Sequence, residues 1–507
     1  MRTRAGGHER ARAARAPMTR ARSEPGRATA PDGLGALAPL LACPSCKHEG
    51  GGLAARGDHF LCLNCKTEFP VLRSGGFRIP WLDRAPEAAR LEWRARFNEF
   101  LGANAAERRR LERALAEVRR SKPAVARISA LLSAREAQRK EIVDLLAPLA
   151  LGSMRAAPTL DRSGVLHERM PQRDALVDEH DALLRDWAWE SVENDSRFEC
   201  VREVLPERKS FKAGKLLTLG AGACRLAYDL HLRYAPELSV ALDVNPLPLL
   251  LAARVLSRET ITLHEFPVAP LSQSMAAIAR LCAAPAPLDA DGPPFVLVLA
   301  DALHAPFKRG SFDTVLTPWL LDIVPQSLAD WVRTVNRLLA KGGTWINTGP
   351  LAFRHRNEAW CYGEEEVLEL VGANGFVLAA CERKNVPYLQ SPASGRGRIE
   401  RAVTFSATKV ADAAAPERLE HHAPWLVDTT RAVPDLDELV VASTQRLLQA
   451  QILAAIDGKR SIVEIAQFVA KRYGLQKSEA EGAVRRLLRE LYDATLAAKT
   501  SSTAALE

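Results

Sequence analysis

Four cysteines near the amino terminus have the spacing of metal ligands. Cys43 and Cys46 are separated by two residues, as are Cys62 and Cys65, and fifteen residues lie between the two pairs. Two intervening residues let both thiolates of a pair point to one side of a tight turn, and two such turns supply a tetrahedral set of sulfurs. We predict a structural Zn²⁺ here, because four thiolates leave no coordination position open for catalysis. Two disulfides are the less favoured alternative.

A second group of residues fits the binding of a nucleotide-like cofactor. An apolar strand at residues 216–219 is followed by Gly220, Ala221 and Gly222 and then by a helix, and the next strand ends in Asp243. Glycines let the turn pass close to a ligand, and the start of a helix offers free N–H groups. An acid at the end of the second strand can bind two ribose hydroxyls.

The surrounding residues discriminate between two cofactors. The dinucleotide fingerprint has a third glycine where this chain has Arg225, and repeated strand–helix–strand units of that type do not follow. A third predicted strand ends at Asp301, and an acid there, followed by Ala302, suits the amino group of an adenine. We therefore favour S-adenosylmethionine and assign Arg225, Asp301 and Ala302 to its site together with the glycine loop.

The succession of predicted elements over residues 165–410 resembles that of class I methyltransferases. The stretch from Gly342 to His355 fits the fifth strand of such a sheet and the loop after it, and residues 38–82 resemble the zinc ribbons that accompany methyltransferases. The resemblance implies an α/β, Rossmann-like class I methyltransferase with S-adenosylmethionine as cofactor. Because ligands of such open sheets bind beyond the carboxyl ends of the strands, Asn347 and His355 are expected to face the crevice.

Four short segments narrow the resemblance. They are LLRDWAWES at residues 183–191, LGAGACRLAYDLH at 219–231, GGTWINTGPL at 342–351 and VPYLQ at 386–390. Together they resemble the carnosine N-methyltransferase family, which methylates an imidazole nitrogen of a histidyl dipeptide. The resemblance implies that Asp322, after two leucines, orients a neutral imidazole or receives its proton. It also implies that Tyr388 lies on the substrate side.

Two departures from this family leave the methyl acceptor open. Cys224 replaces the last glycine of the cofactor loop, and Phe353-Arg354 stands where the family has Tyr-His, which displaces His355 by one position. We predict N-methylation of an imidazole-containing small molecule or dipeptide. The alternatives are a peptide- or protein-modifying methyltransferase and a catalytically inactive binding or regulatory protein, which Cys224 favours. The predicted acceptor-side residues are Asp322, Asn347, His355 and Tyr388.

Two of these residues have plainer interpretations. Asp322 could instead cap the helix that begins near residues 325–327, since aspartate is a common N-cap residue. His355 could be a partly exposed loop histidine without contact to a substrate.

The length and composition predict several soluble units. A chain of 507 residues exceeds the size at which single cores stop growing, about 250–300 residues. With 47% apolar and 26% charged residues and no long apolar run, the composition is that of a soluble protein, expected in the cytoplasm. The predicted units are a disordered basic tail (1–37), a zinc ribbon (38–82), a helical bridge (83–159), the methyltransferase domain (160–410), a linker (411–429), a winged-helix-like module (430–497) and a disordered tail (498–507).

The carboxyl-terminal unit is rich in helix signals. Ser461 and Glu464 have the spacing of a capping box, and Gly474 follows the helix that they start. The segment resembles winged-helix domains of the PqqD-like type, which bind leader peptides, and so implies a peptide or protein partner. A plain helical docking module is the alternative. Nucleic acid is an unlikely partner, because much of the net charge of +8 lies in the first thirty residues.

Overall fold

The computed structural model describes residues 33–49, 53–118, 121–151, 180–189, 192–206, 210–355, 358–415, 432 and 437–494. Most of the two predicted tails and most of the predicted linker, residues 416–429, lie outside these residues. The tail was predicted to extend to residue 37, and this boundary is wrong, because a short helix, α1 (Leu34–Leu37), lies inside it with both end residues buried.

The described strands and helices alternate through most of the chain. The strands are β1 (Leu53–Arg56), β2 (His59–Cys62), β3 (Glu68–Ser74), β4 (Phe77–Pro80), β5 (Lys215–Leu219), β6 (Leu238–Asp243), β7 (Ile261–Glu265), β8 (Ile278–Cys282), β9 (Phe295–Leu299), β10 (Phe312–Pro318), β11 (Leu339–Thr348), β12 (Phe376–Tyr388) and β13 (Arg398–Lys409). The longer helices are α2 (Pro86–Glu117), α3 (Lys122–Leu145), α4 (His180–Trp187), α5 (Val192–Glu203), α6 (Arg225–Tyr234), α7 (Pro246–Leu256), α8 (Leu328–Leu338), α9 (Glu364–Ala373), α10 (Asp437–Ala454), α11 (Ile462–Tyr473) and α12 (Lys477–Ala494).

A seven-stranded sheet forms the centre of the molecule, in the order β12-β13-β11-β10-β5-β6-β9. All neighbours are parallel except β13, which runs antiparallel to β11 and β12. This mixed sheet with helices between its strands confirms the predicted α/β class. Strands β6 and β9 are buried along their whole length, which explains why their sequences are almost continuously apolar rather than alternating.

The sheet order reverses direction between β5 and β10. From β5 the chain proceeds through β6 and β9 toward one edge, and from β10 through β11 toward the other. Open parallel sheets bind ligands at such a reversal, beyond the carboxyl ends of the strands, because the connections on the two sides diverge and leave a crevice. The loop after β5 and the residues after β10 therefore border the expected binding site.

The four-cysteine unit does not have a core of its own. Its buried side chains Leu41, Phe60 and Phe69 belong to one hydrophobic cluster with Val298 of β9 and Phe307 of the segment between β9 and β10. Trp81, directly after β4, forms a parallel bridge with Leu299 at the edge strand β9. The unit therefore covers an open sheet edge that would otherwise present unpaired backbone groups.

The carboxyl-terminal helices form a small cluster of their own. Ser461 and Glu464 make the predicted capping box, and Gly474 ends α11 in the left-handed conformation. Ile452, Ile465 and the fully buried Val469 are among the residues at its centre. Residues 437–494 contain helices and no strand in the structure, so the winged-helix and PqqD-like interpretations remain predictions. None of the described helices is long and apolar enough to cross a membrane.

One buried histidine makes the stability of this fold depend on pH. His231 is 5% exposed, its Nδ1 lies 2.9 Å from the hydroxyl of Ser239, and burial lowers its pKa to about 4. The unfolded chain, with a histidine pKa of about 6.5, binds more protons between these values. The contribution of the neutral His231 imidazole to the stability of the folded state is therefore complete above about pH 6.5 and is lost as the pH falls toward 4.

We expect the wild type to lose stability relative to His231→Phe on acidification. Between pH 7.5 and 5 the difference in unfolding free energy between the two proteins should change by about 2 kcal/mol. Urea unfolding followed by tryptophan fluorescence measures it, because residues 437–494 contain no tryptophan and do not contribute to the signal. A difference that stays constant between the two pH values would contradict the burial of a neutral imidazole.

Candidate functional site

The four predicted cysteine ligands come together at one point. Their sulfurs all lie within 4.8 Å of one another, with 3.6 Å between Cys43 and Cys65 and 3.7 Å between Cys46 and Cys62. These distances exceed a disulfide bond of about 2.05 Å and fit the edges of a tetrahedron around an ion bonded at about 2.3 Å. The cluster could hold a metal ion with four thiolates.

The two cysteines of the first pair lie in contrasting environments. Burial raises the pKa of Cys43 well above the ordinary thiol range. The side-chain amide of Asn64, which donates to Cys46 Sγ, lowers the pKa of Cys46 to about 6. A thiol as buried as Cys43 needs a nearby cation to ionise, and a bound metal provides that charge.

The glycine loop lies where the sheet order reverses. Gly220 and Gly222 have positive φ angles of 67° and 55°. A Cβ atom on Gly220 would come within 3.0 Å of Leu320, whereas one on Gly222 would meet nothing within 4 Å. The loop thus contacts the chain after β10 on one side and has free space beside Gly222, as a ligand-binding turn requires.

Asp243 lies at the carboxyl end of β6, beside this loop. Its carboxylate accepts hydrogen bonds from the backbone N–H groups of Gly222, at 2.7 Å, and Asn245, at 2.8 Å. Burial raises the pKa of Asp243, although the backbone donors oppose that rise. Each oxygen retains a lone pair for a hydroxyl donor, so the geometry agrees with the predicted ribose contact.

Cys224 is compatible with an intact loop. It has a φ of 67° and precedes α6, in a conformation that costs a non-glycine residue about 1–2 kcal/mol. Its side chain is fully buried in the core behind the loop, in contact with other apolar residues. Its Sγ lies 3.6 Å from the carbonyl oxygen of Gly222, but a Cβ on Gly222 would still meet nothing within 4 Å. The cysteine therefore leaves the space beside Gly222 open, and the inactive alternative stays a prediction.

The residues after β9 form the second predicted cofactor contact. Asp301 begins a short 3-10 turn, and its carboxylate accepts hydrogen bonds from the backbone N–H of Leu303 at 2.9 Å. Its other oxygen lies 2.9 Å from Nδ1 of His304. Ala302 follows directly and is partly buried. Asp243 and Asp301 thus lie at the same edge of the sheet, because they follow the adjacent parallel strands β6 and β9.

Arg225 supports the loop through helix α4. Its guanidinium donates to the backbone carbonyl of Asp186 at 2.9 Å and to both carboxylate oxygens of Asp229 at 3.0 Å. The indole of Trp187 donates to the carbonyl of Ala223 at 2.8 Å. Asp186 and Trp187 of α4 therefore brace the loop from behind. Direct contact between Arg225 and the cofactor remains a prediction.

An ion cluster between α4 and α5 was not predicted from the sequence. Asp186 lies 2.7 Å from Arg185 and 3.1 Å from Arg197, and all three are at most 6% exposed. Burial and the neighbouring Arg185 lower the pKa of Arg197 to about 10. The pattern of apolar and polar residues around Arg185 and Arg197 does not indicate that these arginines are buried. Their burial follows from the packing of α4 against α5.

Asp322 lies after β10 and holds the neighbouring loop. One carboxylate oxygen accepts a hydrogen bond of 3.1 Å from the backbone N–H of Ala352, and burial raises the pKa of Asp322. The helix-cap interpretation of Asp322 is wrong, because Ser327 caps α8 by accepting from the N–H of Asp330. The Asp322 carboxylate retains further lone pairs for a ligand.

The structure places the predicted acceptor-side residues His355 and Asn347 differently. His355 is partly buried, with its ring 4.3 Å from that of Trp360. Asn347 is 1% exposed, accepts from the hydroxyl of Thr317 at 2.9 Å and donates to the carbonyl of Val403. It therefore joins three strands rather than facing the crevice. We correct the prediction for Asn347 on this ground and keep that for His355.

Tyr388 belongs to an aromatic and charged group. Its ring is stacked on Trp319, with 6.3 Å between centroids, and the guanidinium of Arg398 lies 4.2 Å from the Tyr388 centroid. Glu400 accepts from the indole N–H of Trp319 at 2.8 Å. Burial raises the pKa of Tyr388. Trp319 and Leu389 have left-handed backbones, a strain that concentrates at functional sites.

The close approach of two loops explains the Gly-Pro sequence after β11. The backbone N–H of Trp319 donates to the carbonyl of Thr348 at 2.7 Å. A Cβ on Gly349, whose φ is 148°, would come within 2.9 Å of the Trp319 Cα. Position 349 therefore requires glycine, which lets the chain segments after β10 and β11 lie close together beside the crevice.

A further connection crosses the carboxyl edge of the sheet and was missed from the sequence. The loop after β12 bonds to the β7–β8 hairpin through Leu271 N–H to Ala393 carbonyl, at 3.0 Å, and Gly395 N–H to Ala269 carbonyl, at 2.8 Å. Glu265 is 1% exposed and accepts hydrogen bonds from Trp189, Arg280 and Ser391. No motif marks this pairing, since the partners are more than a hundred residues apart.

Residues 284–409 match the family model described as Carnosine N-methyltransferase. The match covers about a quarter of the chain, includes Asp301, Asp322 and Tyr388, and begins after the glycine loop. Carnosine N-methyltransferase from Dictyostelium discoideum is 40% identical over 48 residues, which make up 10% of this chain and 10% of that protein. The chain thus matches about a tenth of the length of this relative.

Solved structures of methyltransferases are also similar to the chain. N-methyltransferase NodS from Bradyrhizobium japonicum WM9 has 15% identity, covers 43% of this chain and 97% of its own, and gives a TM-score of 0.27. Phosphoethanolamine N-methyltransferase 2 from Haemonchus contortus is 13% identical to this chain. The similarity covers 43% of this chain and 53% of the Haemonchus chain, with a TM-score of 0.28.

The mixed parallel sheet and the match over residues 284–409 are the features in which this chain resembles methyltransferases. Within that class, residues 284–409 are similar to carnosine N-methyltransferase.

Proposed function

We propose that this protein transfers a methyl group from S-adenosylmethionine to an imidazole nitrogen of a small molecule or dipeptide. The observation that carries the proposal is the convergence of the glycine loop and Asp243 at the reversal of the sheet order, with a 2.7 Å hydrogen bond from Gly222 to Asp243. Asp301 and Ala302 would hold the adenine. In-line transfer from a sulfonium needs mainly alignment and a site with little water.

The acceptor side of the crevice supports an imidazole substrate. A neutral imidazole attacks through one ring nitrogen, and a carboxylate at its other nitrogen fixes the tautomer and can take up the proton. Asp322 has the required carboxylate, and Trp319 with Tyr388 supplies a flat aromatic wall. The family match over residues 284–409 supports the same acceptor class. His355, in the loop held by Asp322, is proposed as a further contact.

We propose that the ion in the four-cysteine cluster is zinc with a structural role. Four thiolates and no other ligand are the donor set of structural zinc sites. In a cluster of this composition, a redox-inactive ion with tetrahedral preference fits better than a hard cation such as magnesium, which requires oxygen ligands.

A peptide or protein acceptor is the second candidate. Large apolar side chains on the carboxyl-terminal helices are exposed, among them Val463 at 49% and Phe468 at 45%. Such a surface could bind a peptide and bring it to the methyltransferase. Competition between imidazole dipeptides and histidine-containing peptides in a methyl-transfer assay would separate the two candidates.

We expect Asp243→Asn to weaken S-adenosylmethionine binding by roughly tenfold to a hundredfold. Loss of one charged hydrogen bond costs about 1.5–3 kcal/mol, and each 1.4 kcal/mol is tenfold in affinity. Calorimetric titration of metal-replete protein measures the change. Glu237→Gln is the matched control, because Glu237 is exposed and directly precedes the other end of the same strand. If the wild type does not bind S-adenosylmethionine, the proposed function is wrong, and the alternative of a catalytically inactive binding or regulatory protein is favoured.

A further inference from the structure

The four-cysteine unit holds both ends of the segment that carries Asp301. On the amino side, the backbone N–H of Leu82 donates to the carbonyl of Leu299 at 2.8 Å. On the carboxyl side, Ala42 N–H donates to the carbonyl of Pro306 at 2.9 Å. Residues 300–305, which we call the Asp301 loop, lie between these two attachments.

Each attachment is linked to a different pair of cysteines. Ala42 directly precedes Cys43, and Lys308 N–H donates to the carbonyl of Leu40 at 2.8 Å. Leu82 follows β4, which pairs with β3, and β3 pairs with β2, which ends at Cys62. A metal ion bound to all four cysteines would therefore fix the distance between the two attachments.

The attachments are buried and well packed. Leu41 forms an antiparallel bridge with Phe307, and both side chains are fully buried. Trp81 and Leu299 are each 2% exposed. Buried backbone hydrogen bonds of this kind hold their partners more firmly than exposed ones, because no water competes for the groups. Arg337 of α8 also binds the carbonyls of Ala305 and Phe307, at 3.2 and 2.8 Å.

We infer that the metal-bound four-cysteine unit positions the Asp301 loop, so that affinity for S-adenosylmethionine depends on metal occupancy. The inference rests on the proposed cofactor role of Asp301. Without the ion, the two pairs of cysteines repel or move apart, and the attachments at Leu299 and Pro306 become independent of each other. The loop then spends less time in the geometry that binds the adenine, which lowers the apparent affinity.

The first test compares the full-length wild type with Cys46→Ser. Cys46 is only partly buried, so the substitution removes a ligand with little loss of packing. We expect lower metal content, an S-adenosylmethionine affinity weakened about tenfold or more, and faster hydrogen exchange in the Asp301 loop than in residues 220–222. Cys381→Ser, which alters a cysteine outside the cluster, is the matched control and should change none of these quantities.

A second variant keeps all four ligands. Ala42→Pro removes the N–H that donates to Pro306, and the extended backbone of Leu41 (φ −75°, ψ 139°) accommodates a following proline. We expect full metal content, faster exchange in the Asp301 loop and weaker binding of the cofactor. This variant decides the question if Cys46→Ser does not fold.

The outcomes separate this inference from the proposed function. If the metal-replete wild type does not bind S-adenosylmethionine, the proposed function fails, and hydrogen exchange in the Asp301 loop still tests the positioning. If the wild type binds and both folded variants bind equally well with unchanged exchange, the inference is wrong. If Cys46→Ser does not fold, a folded Ala42→Pro variant that binds S-adenosylmethionine as tightly as the wild type is enough to overturn the inference.

Discussion

Asp322→Asn is expected to reduce methyl transfer by about a hundredfold or more, because general-base catalysis contributes about 10²–10⁴ to a rate. Asparagine retains an oxygen that can accept the hydrogen bond from Ala352 N–H, so the loop should keep its position. It cannot take up the proton released from an imidazole. Turnover of the imidazole dipeptide that the wild type methylates fastest, measured with saturating S-adenosylmethionine, gives the size of the effect.

The pH profile distinguishes a base from a structural carboxylate. Burial raises the pKa of Asp322, so the wild-type rate should fall on the acid side at a pH above the ordinary range of an aspartate. The Asp322→Asn variant should lose this limb and keep only the fall caused by protonation of the imidazole acceptor, whose ordinary pKa is about 6.5, while its affinity for S-adenosylmethionine stays unchanged. A variant with normal turnover and the same acid limb would remove Asp322 from the mechanism.

Asp186→Asn is expected to destabilise the methyltransferase body by about 3–5 kcal/mol, the usual cost of breaking a buried ion pair from one side. Asp186 is 2% exposed and neutralises Arg185 and Arg197. The asparagine fits the same space but removes the carboxylate between two buried guanidinium groups, and the carboxylate of Glu193 lies farther away, 3.6 Å from Arg185. Urea unfolding followed by tryptophan fluorescence measures the loss.

The neighbouring helix α5 offers a matched control. Glu199 of α5 pairs with Arg202 at 2.5 Å, but the side chains are 38% and 49% exposed. Exposed pairs contribute only about 0–1 kcal/mol because water and salt screen them. Glu199→Gln should therefore change the free energy of unfolding by less than about 1 kcal/mol. Equal effects of the two substitutions would show that the Asp186 cluster is solvated in solution.

The strand pattern and the loop chemistry could be predicted because they depend on neighbours in the chain. Apolar runs predicted β5 and β9, and glycines followed by an acid at the end of the next strand predicted the relation between Gly222 and Asp243. The cysteine spacing predicted the four-sulfur cluster for the same reason, since two residues fix the geometry of each turn. The capping box at Ser461 is equally local.

The errors in the predicted site concern side chains whose partners are distant in sequence. Asn347 ends a strand near the crevice, but whether its amide faces a ligand or a neighbouring strand depends on Thr317 and Val403. Asp322 was equally suited to capping a helix until Ser327 proved to be the cap. Burial and register decide such cases, and neither can be read from one strand alone.

The sequence by itself determined the class of the sheet and predicted the glycine loop and the four-cysteine cluster, because short-range spacing and periodicity encode them. The tertiary structure alone decided that the four-cysteine unit shares the core of the methyltransferase and pairs with β9. It also decided that Trp319, Tyr388, Arg398 and the α4–α5 ion cluster meet beside the crevice. These contacts join residues that are tens to hundreds of positions apart, and only packing brings them together.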